Sequence, residues 1–110
     1  MGHNCVRLNT NRITDWESFH EVCKAEMGFP DFYGMNMNAW IDCLSYLDED
    51  VRMTRFRLVE NEMLSIEITD TKDFKSRLPE IFEALVECAA FVNQRYVEDG
   101  KIPPLSLIFI

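Results

Sequence analysis

Apolar residues recur at steps of three and four in the first third of the chain, a spacing that predicts an amphipathic helix. Thr14 and Glu17 have the spacing of a capping box, so we expect this helix to begin near Asp15. Gly28, followed two residues later by Pro30, predicts its end. The side that we expect to be buried consists of Trp16, Phe19, Val22, Cys23 and Met27.

A second helical pattern follows a turn at Gly34, where a residue without Cβ can take a positive φ. Asn36 is a candidate N-cap, because its side-chain oxygen can accept a hydrogen bond from a free amide of the first turn. The helical period places Asp42 on the exposed side, together with Asn38 and Ser45. The residues expected to face the core are Trp40, Cys43, Leu44 and Leu47.

Alternating apolar and polar residues predict strands at residues 5–8, 52–58 and 63–68. Residues 105–110 form a continuous apolar run, which is typical of a central strand covered on both faces. The order of strands and helices predicts a single α/β domain over residues 1–110, with a largely parallel sheet.

Two further helices are expected between the last two strands. Asp70 or Thr71 is a candidate cap for a short helix that contains Phe74. Pro79 suits the first turn of a longer helix, and Gly100 predicts its end. The apolar stripe of the longer helix consists of Ile81, Phe82, Leu85, Ala89, Val92 and Tyr96.

Composition favours a soluble, cytoplasmic domain without a metal or cofactor. The apolar runs are far shorter than the roughly 20 residues that span a bilayer, and no signal peptide is visible. His3 and His20 do not have the spacing of metal ligands, and we expect His20 to lie on a helix surface. The cysteines lack C-x-x-C spacing, which favours reduced core thiols. They are Cys5, Cys23, Cys43 and Cys88.

The formal net charge of −8 argues against direct binding to nucleic acid, which requires a basic surface. Residues 25–51 contain no basic residue but combine carboxylates with aromatic side chains, a pattern that suits a cationic protein partner. The carboxylates are Glu26, Asp31, Asp42, Asp48, Glu49 and Asp50, and the aromatic residues are Phe29, Phe32, Tyr33, Trp40 and Tyr46.

Residues 28–46 read Gly-Phe-Pro-Asp-Phe-Tyr-Gly-Met-Asn-Met-Asn-Ala-Trp-Ile-Asp-Cys-Leu-Ser-Tyr. This order of loop, cap and helix face resembles the barstar family of ribonuclease inhibitors, and the match is densest over residues 13–47. The resemblance implies a small α/β fold with a three-stranded parallel sheet, to which residues 52–58 are a candidate additional strand. It also implies inhibition of a secreted ribonuclease, whose active site an acidic helix and the preceding loop would plug.

The resemblance implies contact roles for individual residues. Asp42 matches the family's central acidic contact and would mimic a phosphate, while Phe32 stands at a contact tyrosine. Asn38 replaces an acidic contact and Ile41 replaces an interface tryptophan, which argues against barnase itself and leaves a related partner open. On the last long helix, Glu83 or Glu87 stands for a further acidic contact. The residues expected to touch the partner are Phe32, Tyr33, Gly34, Asn36, Asn38, Ile41, Asp42, Ser45, Tyr46 and Glu87.

Other functional classes are compatible with parts of the pattern. An enzyme is disfavoured, because the chain shows no Ser/His/Asp or Cys/His arrangement, nucleotide loop or metal spacing. A barstar-like module with a non-ribonuclease partner, such as an immunity protein for another toxin, stays open. Taken alone, Asp42 is also compatible with an ordinary solvated charge. We expect a monomer.

Overall fold

A computed structural model describes residues 4–110, which form three strands and five helical segments. The strands are parallel, and the second strand in the chain lies between the other two, which confirms the α/β fold and the three-stranded sheet. In chain order the elements are β1 (Asn4–Leu8), a 3-10 turn (Thr10–Arg12), α1 (Trp16–Met27), α2 (Met37–Leu44), β2 (Leu64–Ile68), α3 (Thr71–Arg77), α4 (Pro79–Glu98) and β3 (Leu105–Phe109).

The central strand is β2, not β3. In β2 the inward side chains of Leu64, Ile66 and Ile68 are fully buried, while the residues between them are partly exposed. The expectation that residues 105–110 form a central strand is therefore wrong: within residues 4–110, β3 pairs only with β2 and lies at an edge of the sheet. The end of its apolar run is not covered on both faces: Ile108 and Ile110 are exposed, and Phe109 is 50% exposed although its ring centroid lies 5.7 Å from that of Phe82 on α4.

Residues 52–58 do not form the expected additional strand. Their backbone amides bond to separate parts of the chain: Arg55 N–H donates to the Met27 carbonyl at 2.9 Å, and Leu58 N–H donates to the Leu47 carbonyl at 2.7 Å. Leu58 itself is buried. The alternation therefore reflects an irregular segment with one side against the core, because a strand would need a continuous ladder of hydrogen bonds.

The start of α1 differs from the expected capping box. Asp15 is the N-cap: its Oδ1 accepts the Ser18 N–H at 2.8 Å, and Ser18 Oγ accepts the Asp15 N–H at 3.0 Å. Trp16 is 39% exposed, although its spacing predicted burial. The end is confirmed at Gly28, where φ is 70° and an added Cβ would lie 2.8 Å from Arg55 Cβ. Glycine is therefore required there on two counts.

The two C-terminal helices begin and end close to the expected residues. Pro79 lies in the first turn of α4, and Gly100 follows its end with φ 78°. Asp70, one of the two expected caps, occupies the N-cap position of α3, but its side chain makes no capping bond, and the Thr71 hydroxyl donates to the Ile68 carbonyl at 2.7 Å. The α4 stripe is confirmed: all its expected residues are buried or, for Phe82, packed against the core.

All four cysteines are free thiols. Cys23 and Cys43 are core residues as expected, and burial raises their pKa values to about 12 and about 11. Cys5 is exposed, which corrects the expectation of a core thiol, and Cys88 is half-buried. Within residues 4–110 no group of three or more His, Cys, Asp or Glu side chains is placed to hold a metal ion. His3 lies outside the described residues.

Candidate functional site

The start of α2 is held by one side chain. Asn36 is the N-cap, as expected: its Oδ1 accepts the Ala39 N–H at 2.8 Å, and its Nδ2 donates to the Gly34 carbonyl at 3.1 Å. The positive φ of this turn belongs to Met35, at 56°, and not to Gly34. Gly34 serves another purpose, because an added Cβ would lie 3.3 Å from Asn36 Nδ2 and crowd the cap.

The outer side of α2 carries the exposed residues predicted from the helical period. Asn38 and Asp42 are both exposed and lie one turn apart. Tyr46, just beyond the helix, is 39% exposed, and Phe32, in the loop that leads to the helix, is 76% exposed. We call these four residues together with Ser45 the α2 surface.

Tyr33 is not part of this surface, although the sequence interpretation assigned it a partner contact. Its ring is buried, and its hydroxyl lies 2.7 Å from Nδ1 of His20. His20 is also buried, at 3% exposure, which corrects its expected place on a helix surface. Burial lowers the pKa of His20 and raises the pKa of Tyr33. The pair anchors the loop before α2 to α1, while Phe32 points into solvent.

The inner side of α2 packs on the core. Trp40 is completely buried, as expected, and its indole Nε1 has no hydrogen-bond partner among residues 4–110. Cys43, Leu44 and Leu47 are also buried. Ile41, at the position of a family interface tryptophan, is half-buried against the same core. Only part of its side chain is therefore open to a partner.

A hydroxyl on α4 holds the chain that follows α2. Tyr96 Oη accepts the Leu47 N–H at 3.2 Å and can donate to the Ser45 carbonyl at 3.1 Å or to Asp48 Oδ1 at 3.3 Å. Burial, followed by the charge of Asp48, raises the pKa of Tyr96 to about 12. With the Asn36 cap at one end and this contact at the other, α2 is fixed at both ends.

An ion pair adds to this attachment. Lys101 Nζ lies 2.8 Å from Asp48 Oδ2. Partial burial alone would raise the pKa of Asp48, but the hydrogen bond and charge of Lys101 outweigh it and lower that pKa. Asp48 is thus part of the attachment and not a freely solvated helix end.

A groove of about 210 Å³ separates the α2 surface from the end of α4. Its α2 side is formed by Asp42, Ser45, Tyr46 and Glu49, and its α4 side includes Arg95, Asp99 and Lys101. The structure therefore brings together three of the predicted contact residues, Asp42, Ser45 and Tyr46. Glu87 is exposed on α4 but does not line this groove.

Arg95 is a second α4 residue, after Tyr96, that bonds to the C-terminal end of α2, and the sequence interpretation missed it. Its Nη1 donates to Ser45 Oγ at 3.3 Å, and Ser45 Oγ donates in turn to the Ile41 carbonyl at 2.7 Å. Its guanidinium carbon lies 5.4 Å from the centre of the Phe91 ring. The only local signal is a basic residue in the last turn of a helix, which usually reflects the helix dipole and does not indicate a site.

A family model described as Barstar (barnase inhibitor) matches residues 3–107. The chain belongs to the barstar family. A search of curated proteins gave no match. The match covers α2, its preceding loop and α4, so both sides of the groove lie inside the barstar domain. Among the helices of residues 4–110, none is long and apolar enough to cross a membrane.

Proposed function

We propose that this barstar-family protein binds a ribonuclease and blocks its cationic active site with α2 and the loop before it. The observation that carries the proposal is the position of Asp42. Its carboxylate is exposed in the last turn of α2, a helix that is fixed at both ends, and no basic side chain of residues 4–110 lies within salt-bridge distance of it.

The chemistry of ribonucleases explains why such a carboxylate inhibits. These enzymes bind the phosphates of RNA with Arg, Lys and His side chains, which also form strong, charge-assisted hydrogen bonds with carboxylates. A carboxylate on a rigid helix competes for the same groups without first having to be ordered. The acidic charge of the whole protein also attracts a cationic cleft at long range and raises the association rate.

Phe32 supplies the apolar part of the proposed contact. An aromatic ring that is 76% exposed gains free energy when a partner removes it from water, and aromatic residues are enriched in interfaces for that reason. Tyr46 extends the aromatic area at the other end of the α2 surface. Asp42 would therefore lie between two aromatic contacts along the chain.

We place the inhibitor in the cytoplasm as a monomer, where it would protect a cell that makes the ribonuclease. The free thiols fit a reducing compartment. The alternative is a barstar-like immunity or interaction module with a non-ribonuclease partner. One observation favours it: Asn38 is neutral where the family has an acidic contact.

The test begins with immobilised wild-type protein and a lysate and culture medium of the source cell. Captured proteins are assayed for RNA cleavage, and the nuclease is identified by sequencing. We expect wild type to inhibit it and Asp42→Ala to bind roughly 100-fold more weakly, since losing one partner of a buried charge pair costs about 2–5 kcal/mol.

Glu21→Ala is the matched control, because Glu21 is an exposed carboxylate on α1 and its removal changes the net charge equally. It should inhibit like wild type. The proposal is wrong if no nuclease is captured, or if Asp42→Ala inhibits as strongly as Glu21→Ala.

A further inference from the structure

We propose that Arg95 selects the partner: the nuclease that docks on the α2 surface carries a carboxylate at the rim of its cationic cleft, and this carboxylate pairs with Arg95. The inference rests on the proposed function and deepens it, because it specifies a chemical feature of the nuclease. It divides the docking surface into an acidic centre, at Asp42, and a basic flank on α4.

The position of Arg95 is the first argument. Arg95 and Asp42 line the same groove, so a partner that covers Asp42 also approaches the guanidinium. The bond to Ser45 and the Phe91 ring hold the guanidinium beside α2. Arg95 is thereby preorganised, which lowers the entropic cost of forming a further contact.

The second argument is that the charge of Arg95 is unmatched. Among residues 4–110, no carboxylate lies within 4.0 Å of the Arg95 guanidinium, although Asp42, Glu49 and Asp99 line the same groove. A guanidinium offers five N–H donors, and its planar fork suits bidentate binding of a carboxylate. The bond to Ser45 leaves most of these donors free.

The sign of the charge then defines the partner. A nuclease with a basic group directly opposite Arg95 would meet repulsion there, and like charges brought together at an interface exclude wrong partners. A nuclease with a carboxylate at that place would gain a charge-assisted pair. Asp42 therefore accounts for binding to the phosphate-binding site that nucleases share. Arg95 discriminates among nucleases according to the charge beside that site.

The experiment uses the nuclease that wild-type protein captures, purified, as its probe. Dissociation constants are measured for wild type, Arg95→Ala, Arg95→Lys and Arg95→Glu. We expect about tenfold weaker binding for Arg95→Ala, a smaller loss for Arg95→Lys, and a loss well beyond tenfold for Arg95→Glu, because that variant replaces attraction with repulsion.

Lys72→Glu is the matched control for net charge. Lys72 is exposed on α3, it does not line the groove, and its reversal changes the charge of the protein by the same amount. Its binding should stay close to that of wild type. Melting temperatures establish that each variant is folded, and Arg95→Gln, which can keep the bond to Ser45, replaces Arg95→Ala if that variant is unstable.

The partner residue is found by changing each Asp and Glu near the nuclease cleft to Arg. One of these changes should weaken binding to wild type and restore binding to Arg95→Glu. The inference is overturned if Arg95→Glu binds as tightly as Lys72→Glu or more tightly, or if no charge swap restores binding. If the inference about Arg95 is overturned but Asp42→Ala still binds the nuclease weakly, the proposed function is unaffected. Failure to capture any nuclease overturns both the proposed function and the inference about Arg95.

Discussion

Phe32 and Tyr33 are neighbours in the chain but belong to two different regions of the molecule. Phe32 is 76% exposed on the α2 surface, while Tyr33 is buried against His20. The α2 surface exposes apolar area at Phe32 and charge at Asp42, while Ser45 is half-buried. The layer beneath it consists of the anchors that hold α2 in place: Tyr33, His20, Trp40 and Tyr96.

The difference separates binding from stability. Changes on the α2 surface should weaken partner binding and leave the free energy of unfolding almost unchanged, since exposed positions make few intramolecular contacts. Changes in the anchors should lower the free energy of unfolding, and they should weaken binding only indirectly, by loosening α2. Three variants test this division.

The largest effect is expected for Trp40→Ala. Trp40 is the largest fully buried side chain, and its removal leaves a cavity beneath α2. We expect the free energy of unfolding to fall by about 3–5 kcal/mol, measured by denaturant titration. If the loss is below about 1 kcal/mol, α2 does not depend on its inner side as described.

Phe32→Ala should weaken partner binding and leave stability almost unchanged, the opposite of Trp40→Ala. We expect partner binding to weaken by about 2 kcal/mol, or roughly 30-fold, because an exposed aromatic anchor is lost. The free energy of unfolding should change by less than about 0.5 kcal/mol. Calorimetry with the captured nuclease and denaturant titration measure the two quantities on the same samples. A large loss of stability would place Phe32 among the anchors.

The smallest effect is a pH dependence due to His20. Its folded-state pKa lies below the ordinary value of 6.5, because burial disfavours the charged ring. As pH falls through 6.5, the unfolded chain binds a proton that the folded protein resists, so stability present above this pH is progressively lost. His20→Gln should lose less stability than wild type between about pH 7.5 and about pH 5.5.

Unfolding is measured by denaturant titration at both pH values, and the quantity of interest is the change with pH in each protein. Asp and Glu side chains titrate mainly below this range. If the free energy of unfolding changes equally with pH in wild type and His20→Gln, the buried His20 does not contribute to the pH dependence of stability.

Sequence patterns predicted the structure correctly where the contacts involved lie within one or two helical turns. The Asn36 cap, the buried side of α2 and the exposure of Asp42 follow from spacings of three and four residues. The family resemblance, which rests on the same residues, also implied the three-stranded sheet. The Asp15–Ser18 box was missed because Thr14 and Glu17 fit the usual sequence pattern of a capping box, whereas Ser18 takes the place of the usual Glu or Gln.

Patterns failed where a residue's neighbours are distant in the chain. Residues 52–58 alternate like a strand, but their backbone N–H groups donate to the carbonyls of Met27 and Leu47 and not to a neighbouring strand. The apolar run of β3 serves an edge strand, whose inner residues pack on α4. Tyr33 is buried because His20 lies opposite its hydroxyl, and a loop has no period that would predict this contact.

By itself, the sequence determined the acidic charge, the family's loop and helix, and the outward direction of Asp42, because these depend on composition and on contacts within one turn. Only the tertiary structure decided that Phe32 is exposed while Tyr33 is buried, and that Arg95 lies against Ser45, 50 residues away. The packing of α4 on α2 creates that contact. A partner therefore meets a surface with two signs of charge, since folding places a basic residue of α4 beside the basic-free segment.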